Sequence, residues 1–272
     1  MLTAGAALIH LATAYRFNFR DLAIEALAMI SCLYQPSLAS RFVAREDSAT
    51  SPATSSALSL LSKVSEDARF ADSSASTAEE VLRKHEVAFM EYLNQWTFST
   101  TSESTQHSPD ALREALEETQ IVSAILAVSQ SSPTTTSSAS SSVTSTGLTP
   151  LLVSGALRTL IILAPSDFVL PLLRQWFLIT ITTYIVMGRP TLPTMSEQAD
   201  EGFTWKTAIH DCKSQASAKG QPELLQAIME LKNAAETWGE EVDVKNHKTG
   251  QSAPSKLWLN AAKTLLRQVG DD

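Results

Sequence analysis

The chain has 272 residues, 44% hydrophobic and 18% charged, with 21 basic against 29 acidic side chains and a net charge of −8. Nine glycines and eleven prolines are too few for a collagen-like or wholly disordered chain, and the apolar share is enough for a substantial core. A nucleic-acid-binding face needs clustered Lys and Arg, and no such run occurs, so no nucleic-acid partner is expected. Cys32 and Cys212 form neither a disulfide framework nor a zinc spacing, which points to two reduced thiols in a cytoplasmic protein. The apolar start lacks the basic region of a signal peptide and soon meets Arg16, Arg20 and Asp21.

In chain order, Thr3–Tyr15 is a small, apolar helix, joined around Asn18 to a second over residues 21–34, where Leu22, Ala23, Ala26, Leu27 and Ile30 share a face. Gln35-Pro36 ends it. Residues 44–76 read as a Ser/Thr-rich loop carrying about two helical turns near Leu58, Leu60, Leu61 and Val64. Thr77-Ala78-Glu79-Glu80 is a capping box, followed by a stripe of Leu82, His85, Phe89, Leu93 and Trp96. Ser108-Pro109-Asp110 starts another helix, with Leu112, Leu116, Ile125 and Leu126 on its stripe.

Ser129–Thr146 holds 14 Ser or Thr in 18 residues, so no apolar set offsets the entropy of ordering it; a disordered loop over 129–147 is expected. Two apolar stretches follow, Leu151–Leu163 and Phe168–Met187. Arg158, Pro171, Arg174 and Gln175 interrupt them, which argues for core helices rather than a membrane hairpin. Asp167 begins the second and Gly188-Arg189-Pro190 ends it. After a polar stretch, Leu224, Leu225, Ile228, Leu231, Ala235 and Trp238 form one stripe, and Leu257, Trp258, Ala261, Leu265 and Val269 another. With no convincing run of alternating strands, the expected fold is all-α: one irregular multi-helix domain over 1–272 with disordered Ser/Thr-rich insertions.

The motifs of common chemistries are missing. No two glycines have the GxG spacing of a dinucleotide or phosphate loop, and no GxSxG elbow occurs. Of His10, His85, His107, His210 and His247, none stands three or four residues from another, so no helical metal site is expected. His10 stands out because it sits inside an apolar run, where a buried imidazole needs partners. Arg158 and Arg174 lie in the most apolar region and must each reach water, a carboxylate such as Asp167, or a ligand.

Ala7-Leu8-Ile9-His10-Leu11-Ala12-Thr13-Ala14-Tyr15 with Glu25-Ala26-Leu27-Ala28 is similar to the "PLIHLGYA…EALA" stretch of questin oxidase-like proteins. Leu172-Leu173-Arg174-Gln175-Trp176, Tyr184-Ile185 and Gly188-Arg189-Pro190 resemble that family's "LLR…YI..GRP" helix, and Trp205 with Ala208 its following "W…A" helix. The resemblance implies an NADPH-dependent oxidoreductase of fungal secondary metabolism, a monooxygenase that opens an aromatic polyketide ring of the anthraquinone type in a Baeyer–Villiger-like reaction. It implies His10 as the catalytic base, opening into an apolar, aromatic-sized pocket together with Arg174 or Arg189, and Tyr15, Arg174, Tyr184, Arg189 and Trp205 as substrate-binding residues. Two further family histidines fall at Ser154 and Glu223, and the match begins just inside Met1, the pattern of a divergent or N-terminally shortened member. The alternative is a non-catalytic remnant or helical interaction protein, whose exposed apolar surface predicts homo-oligomers.

Overall fold

The structure, a computed structural model, describes residues 2–34, 36, 40, 42, 56–71, 77–96, 109–129, 140–193, 202–219, 221–239, 242–245 and 252–270. Among them are eleven α-helices, α1 (Leu2–Arg16), α2 (Arg20–Leu33), α3 (Ala57–Glu66), α4 (Ala78–Lys84), α5 (Glu86–Gln95), α6 (Pro109–Val128), α7 (Ser140–Leu160), α8 (Ser166–Val186), α9 (Trp205–Lys219), α10 (Pro222–Trp238) and α11 (Leu257–Gly270). The fold is all-α. The chain divides into two compact units: residues 1–119 with 153–189, and residues 120–152 with 190–272.

In the first unit, α1 and α2 form a hairpin whose turn is set by Asn18 at φ 51°, a left-handed value that asparagine tolerates. Asn18 N–H donates to Tyr15 O and Phe19 N–H to Ala14 O, so α1 ends in a Schellman turn. Leu8 and Ala12 of α1 pack with Ala156 of α7, flanked by Ile9, Leu160 and Leu172.

The centre of this unit is α8, against which α3, α4 and α5 all pack. Leu173, Trp176, Phe177, Ile181 and Tyr184 of α8 are buried, and Trp96 lies 4.8 Å from Phe177 and 5.7 Å from Trp176 between ring centroids. Pro171 stands inside α8 without ending it. As the sixth residue of α8 it forgoes the one helical bond that an N–H there would have donated to Asp167 O. At the other end Gly188 (φ 83°) and Arg189 (φ 56°) close a second Schellman turn, with Arg189 N–H donating to Tyr184 O and Gly188 N–H to Ile185 O, both at 2.9 Å. Of the described helices, α8 is the one long and apolar enough to cross a membrane, and 72% of its most apolar window is buried inside the protein.

Two expectations need correction and one is extended. Within 44–76 the expected helical turns are present as α3, a ten-residue helix with Ala57, Leu58, Leu60, Leu61 and Val64 all buried, followed by a 3₁₀ turn at Ala68–Phe70. Its apolar residues follow a helical period that the surrounding Ser and Thr obscure, and α8 supplies the surface that orders it. The capping box at Thr77 and Glu80 is present, but the helix it starts breaks at His85 into α4 and α5. There the imidazole lies edge-on to Phe70, centroids 5.0 Å apart. The tract 129–147 is helical from Ser140, where α7 extends N-terminally from its apolar body; residues 130–139 lie outside the described set.

The second unit brings α9, α10 and α11 into mutual contact around Cys212, Leu224, Ile228, Leu231, Leu257, Trp258 and Leu265. Trp238 donates its indole N–H to Gln120 of α6, and Trp258 to Gly239 O at 3.1 Å. The polar stretch between α10 and α11 contains a short antiparallel ribbon, β1 (Val242–Lys245) paired with β2 (Ser252–Ser255), which was not expected from composition. The valines at 242 and 244 alternate, and Pro254 is tolerated because a two-stranded ribbon leaves one side of each strand without a ladder.

Candidate functional site

The six sequence candidates fall in different places. His10 is half-buried on α1, and its Nδ1 is buried without a hydrogen-bond partner. One turn away on either side stand Ala6, Ala7, Thr13 and Ala14, of which Ala7 and Ala14 are buried. Thr13 is turned inward, its hydroxyl donating to Ile9 O at 2.8 Å. Arg16 pins the end of α1 to α7 through Gly155 O and Thr159 Oγ1, each at 2.9 Å. Tyr15, the neighbouring candidate, is 57% exposed.

Arg174 is buried to 1% exposure. Nε donates to Phe42 O at 3.3 Å, Nη1 to Leu93 O at 3.3 Å and Nη2 to Asn94 Oδ1 at 3.4 Å. The guanidinium therefore sits at the C-terminal end of α5, where the helix dipole favours a cation. The expected pairing with Asp167 is replaced by these carbonyls, which are closer to the middle of α8.

Tyr184 and Arg189 converge on the end of α3. Arg189 Nη1 donates to Val64 O at 3.4 Å, Ser65 O at 3.1 Å and Asp67 O at 2.8 Å, closing the free carbonyls of that helix. Burial pushes the Tyr184 phenol above its ordinary range, against the opposing pull of a hydrogen bond with Ser65 and the charge of Arg189. About 15 Å of helix separates Tyr184 from Arg174, ten residues at the α-helical rise.

Beside them lies a charged cluster that sequence reading did not single out. Asp67 receives Arg69 at 2.8 Å and the Tyr92 hydroxyl at 2.9 Å, and Arg69 also reaches Glu91 at 2.7 Å. The Arg69 guanidinium holds the Asp67 carboxyl down at about 2, against the pull of burial. Burial, and donation to that carboxylate, push Tyr92 up to about 12. Burial and the charges of Lys84 and Arg69 lower the His85 imidazole. At the opposite end of α3, Glu118 accepts from Ala57 N–H at 2.6 Å. Burial raises its carboxyl, while the bonds from Ala57 and Trp96 work against that rise. An acid at the N-terminus and an arginine at the C-terminus of α3 both complement its dipole. The only sequence signals for this arrangement were single charges next to an apolar patch.

Trp205, in the second unit, opens α9 and lines a cavity of about 10 Å³ with Ala235, Lys256, Trp258 and Leu259. That is room for about one water, far below the ~300 Å³ of an ordinary ligand pocket. Within the first unit the structure joins Tyr184 with Arg189, with Arg174 ten residues earlier on α8 and His10 and Tyr15 on α1. At the two departures from the family pattern, Ser154 is buried in α7 and Glu223 is exposed at the start of α10. No group of three His, Cys, Asp or Glu able to hold a metal occurs among the described residues.

A protein-family model described as Questin oxidase-like matches residues 2–244. No curated protein and no solved structure matches the chain.

Proposed function

We infer function from a premise the match supplies: the chain belongs to the questin oxidase-like family, and an oxidoreductase-like role goes with that membership. The finer reading is oxidative opening of an aromatic, anthraquinone-type polyketide ring in secondary metabolism, with NADPH as reductant and a cytoplasmic location. His10 is the proposed catalytic base. The observation that carries this role is its Nδ1, buried and without a hydrogen-bond partner on a half-buried side chain of α1. A ring nitrogen not committed to the protein is available to a phenol proton once the half-buried imidazole turns it outward. Tyr15, five residues further along α1, lies about 140° round the helix from His10, and its substrate-binding role comes from the family reading alone.

Arg174, Tyr184 and Arg189 support the scaffold in this reading: their polar atoms are engaged with Phe42, Leu93, Asn94 and residues 64–67. Among the described residues, Arg174 and Arg189 do not fit dinucleotide phosphates. There is no GxG turn in the chain, and the Arg174 and Arg189 guanidiniums face backbone carbonyls. NADPH enters through the family reading alone, and no step is assigned to it.

The test is turnover of questin or a similar anthraquinone by the purified protein with NADPH and oxygen. His10→Ala should lower the rate about 10²-fold or more, the usual worth of a general base, with the melting temperature unchanged. Wild-type-like turnover in that variant, or none in the wild type, overturns the proposal. A second reading, a non-catalytic interaction protein, draws on the exposed apolar face of the α1–α2 hairpin.

A further inference from the structure

In the α1–α2 hairpin, α1 is packed through Ala7, Leu8, Ala12 and Ala14, while α2 and the turn bury little apolar surface. Of α2, only Ala26 is fully buried. Tyr15, Phe17, Phe19, Ile24, Leu27 and Tyr34 are between 53% and 76% exposed. A Phe or Tyr side chain carries ~150–250 Å², so these four aromatics with Ile24 and Leu27 present on the order of 700 Å². That exceeds the ~300–600 Å² of the largest apolar patch on an ordinary monomer and approaches the ~800 Å² that each partner buries in a standard interface.

We propose that this hairpin is a homodimer interface in which the α2 helices of two copies pack antiparallel about a two-fold axis near Ala28. Ile24, Leu27, Ser31 and Tyr34 follow steps of three, four and three, a single seam of the kind that pairs helices. Ala28, also exposed, lets the two backbones approach.

Charge selects the occupant. The chain carries −8 overall, which opposes self-association over most surfaces. The hairpin itself carries no net charge. Besides His10, its charged groups are Arg16, Arg20, Asp21 and Glu25, two of each sign, all at the turn and the first half of α2. A second copy therefore meets no net like charge there, and an isologous contact asks for such self-complementarity. A membrane surface fits less well, because membrane-lying helices carry a Lys/Arg-rich polar face. Asp21 and Glu25 would face anionic headgroups.

The test uses the full chain in sedimentation velocity and light scattering at micromolar concentration. The expected wild-type mass is twice the 29.4 kDa of the monomer. Leu27→Glu enters the contact twice by symmetry and should weaken dimerisation at least about tenfold, with helicity unchanged by circular dichroism. Arg83→Glu, an exposed change on α4, should leave the dimer intact. A monomeric wild type overturns the proposal, as does a dimer that Leu27→Glu leaves unaffected. So does a wild type that floats with phosphatidylcholine vesicles as a monomer.

Discussion

Replacing Arg174 by methionine separates a scaffold role from a substrate role. Methionine keeps most of the aliphatic volume, so packing of α8 against its neighbours is retained. What is lost is the guanidinium that holds Phe42 O and Leu93 O at 3.3 Å and Asn94 Oδ1 at 3.4 Å. These are long bonds, which argues for the low end of the ~1.5–3 kcal/mol typical of charge-assisted ones. Two backbone carbonyls also lose their donor, at ~1–3 kcal/mol each. Relief of a buried charge offsets part of this. The net expectation is a loss of about 3 kcal/mol, read in urea unfolding as a lower midpoint at unchanged slope. For a chain of this size that is a fall in Tm of about 6–12 °C. Arg174→Lys should recover less than half, because a point charge cannot span the fork that reaches three acceptors. A loss below about 1 kcal/mol would refute the reasoning, above all if substrate turnover fell at the same time.

Other outcomes follow from the two ends of α3 and the cluster beside it. The Asp67 carboxyl is lowered from 3.8 to about 2, so it contributes stability above pH 3.8 that is lost as the pH falls through about 2. Arg69 is 45% exposed, and screening reduces the contribution to about 1 kcal/mol; Asp67→Asn should remove that acid-side slope in urea midpoints. Glu118 has the opposite sign. Its carboxyl is raised by burial, so its contribution is fully present below the ordinary carboxyl range and declines as pH rises through the folded value. Glu118→Gln keeps an acceptor for Ala57 N–H and should flatten that decline, while Glu118→Leu orphans the N–H and should cost about 2 kcal/mol at neutral pH.

Local order was written in the chain. The Thr77–Glu80 capping box, the Asn18 turn, the Gly188-Arg189 stop and the stripes of α10 and α11 depend on residues within about five positions, so sequence spacing alone exposed them. The motifs around His10, Arg174 and Gly188 likewise carried the family identity. Only the tertiary structure decided what the charged groups do. Glu118 closes α3 from 61 residues away, Arg189 reaches Val64 across 125, and Arg174 reaches Phe42 across 132. No local period encodes such pairings: each is settled by which carbonyl or amide α8 and α6 leave within reach. The same distance explains why the sequence showed only a short helical patch at α3 and left the partners of Arg174 open. A buried cation must find acceptors, and here the folded backbone supplies them.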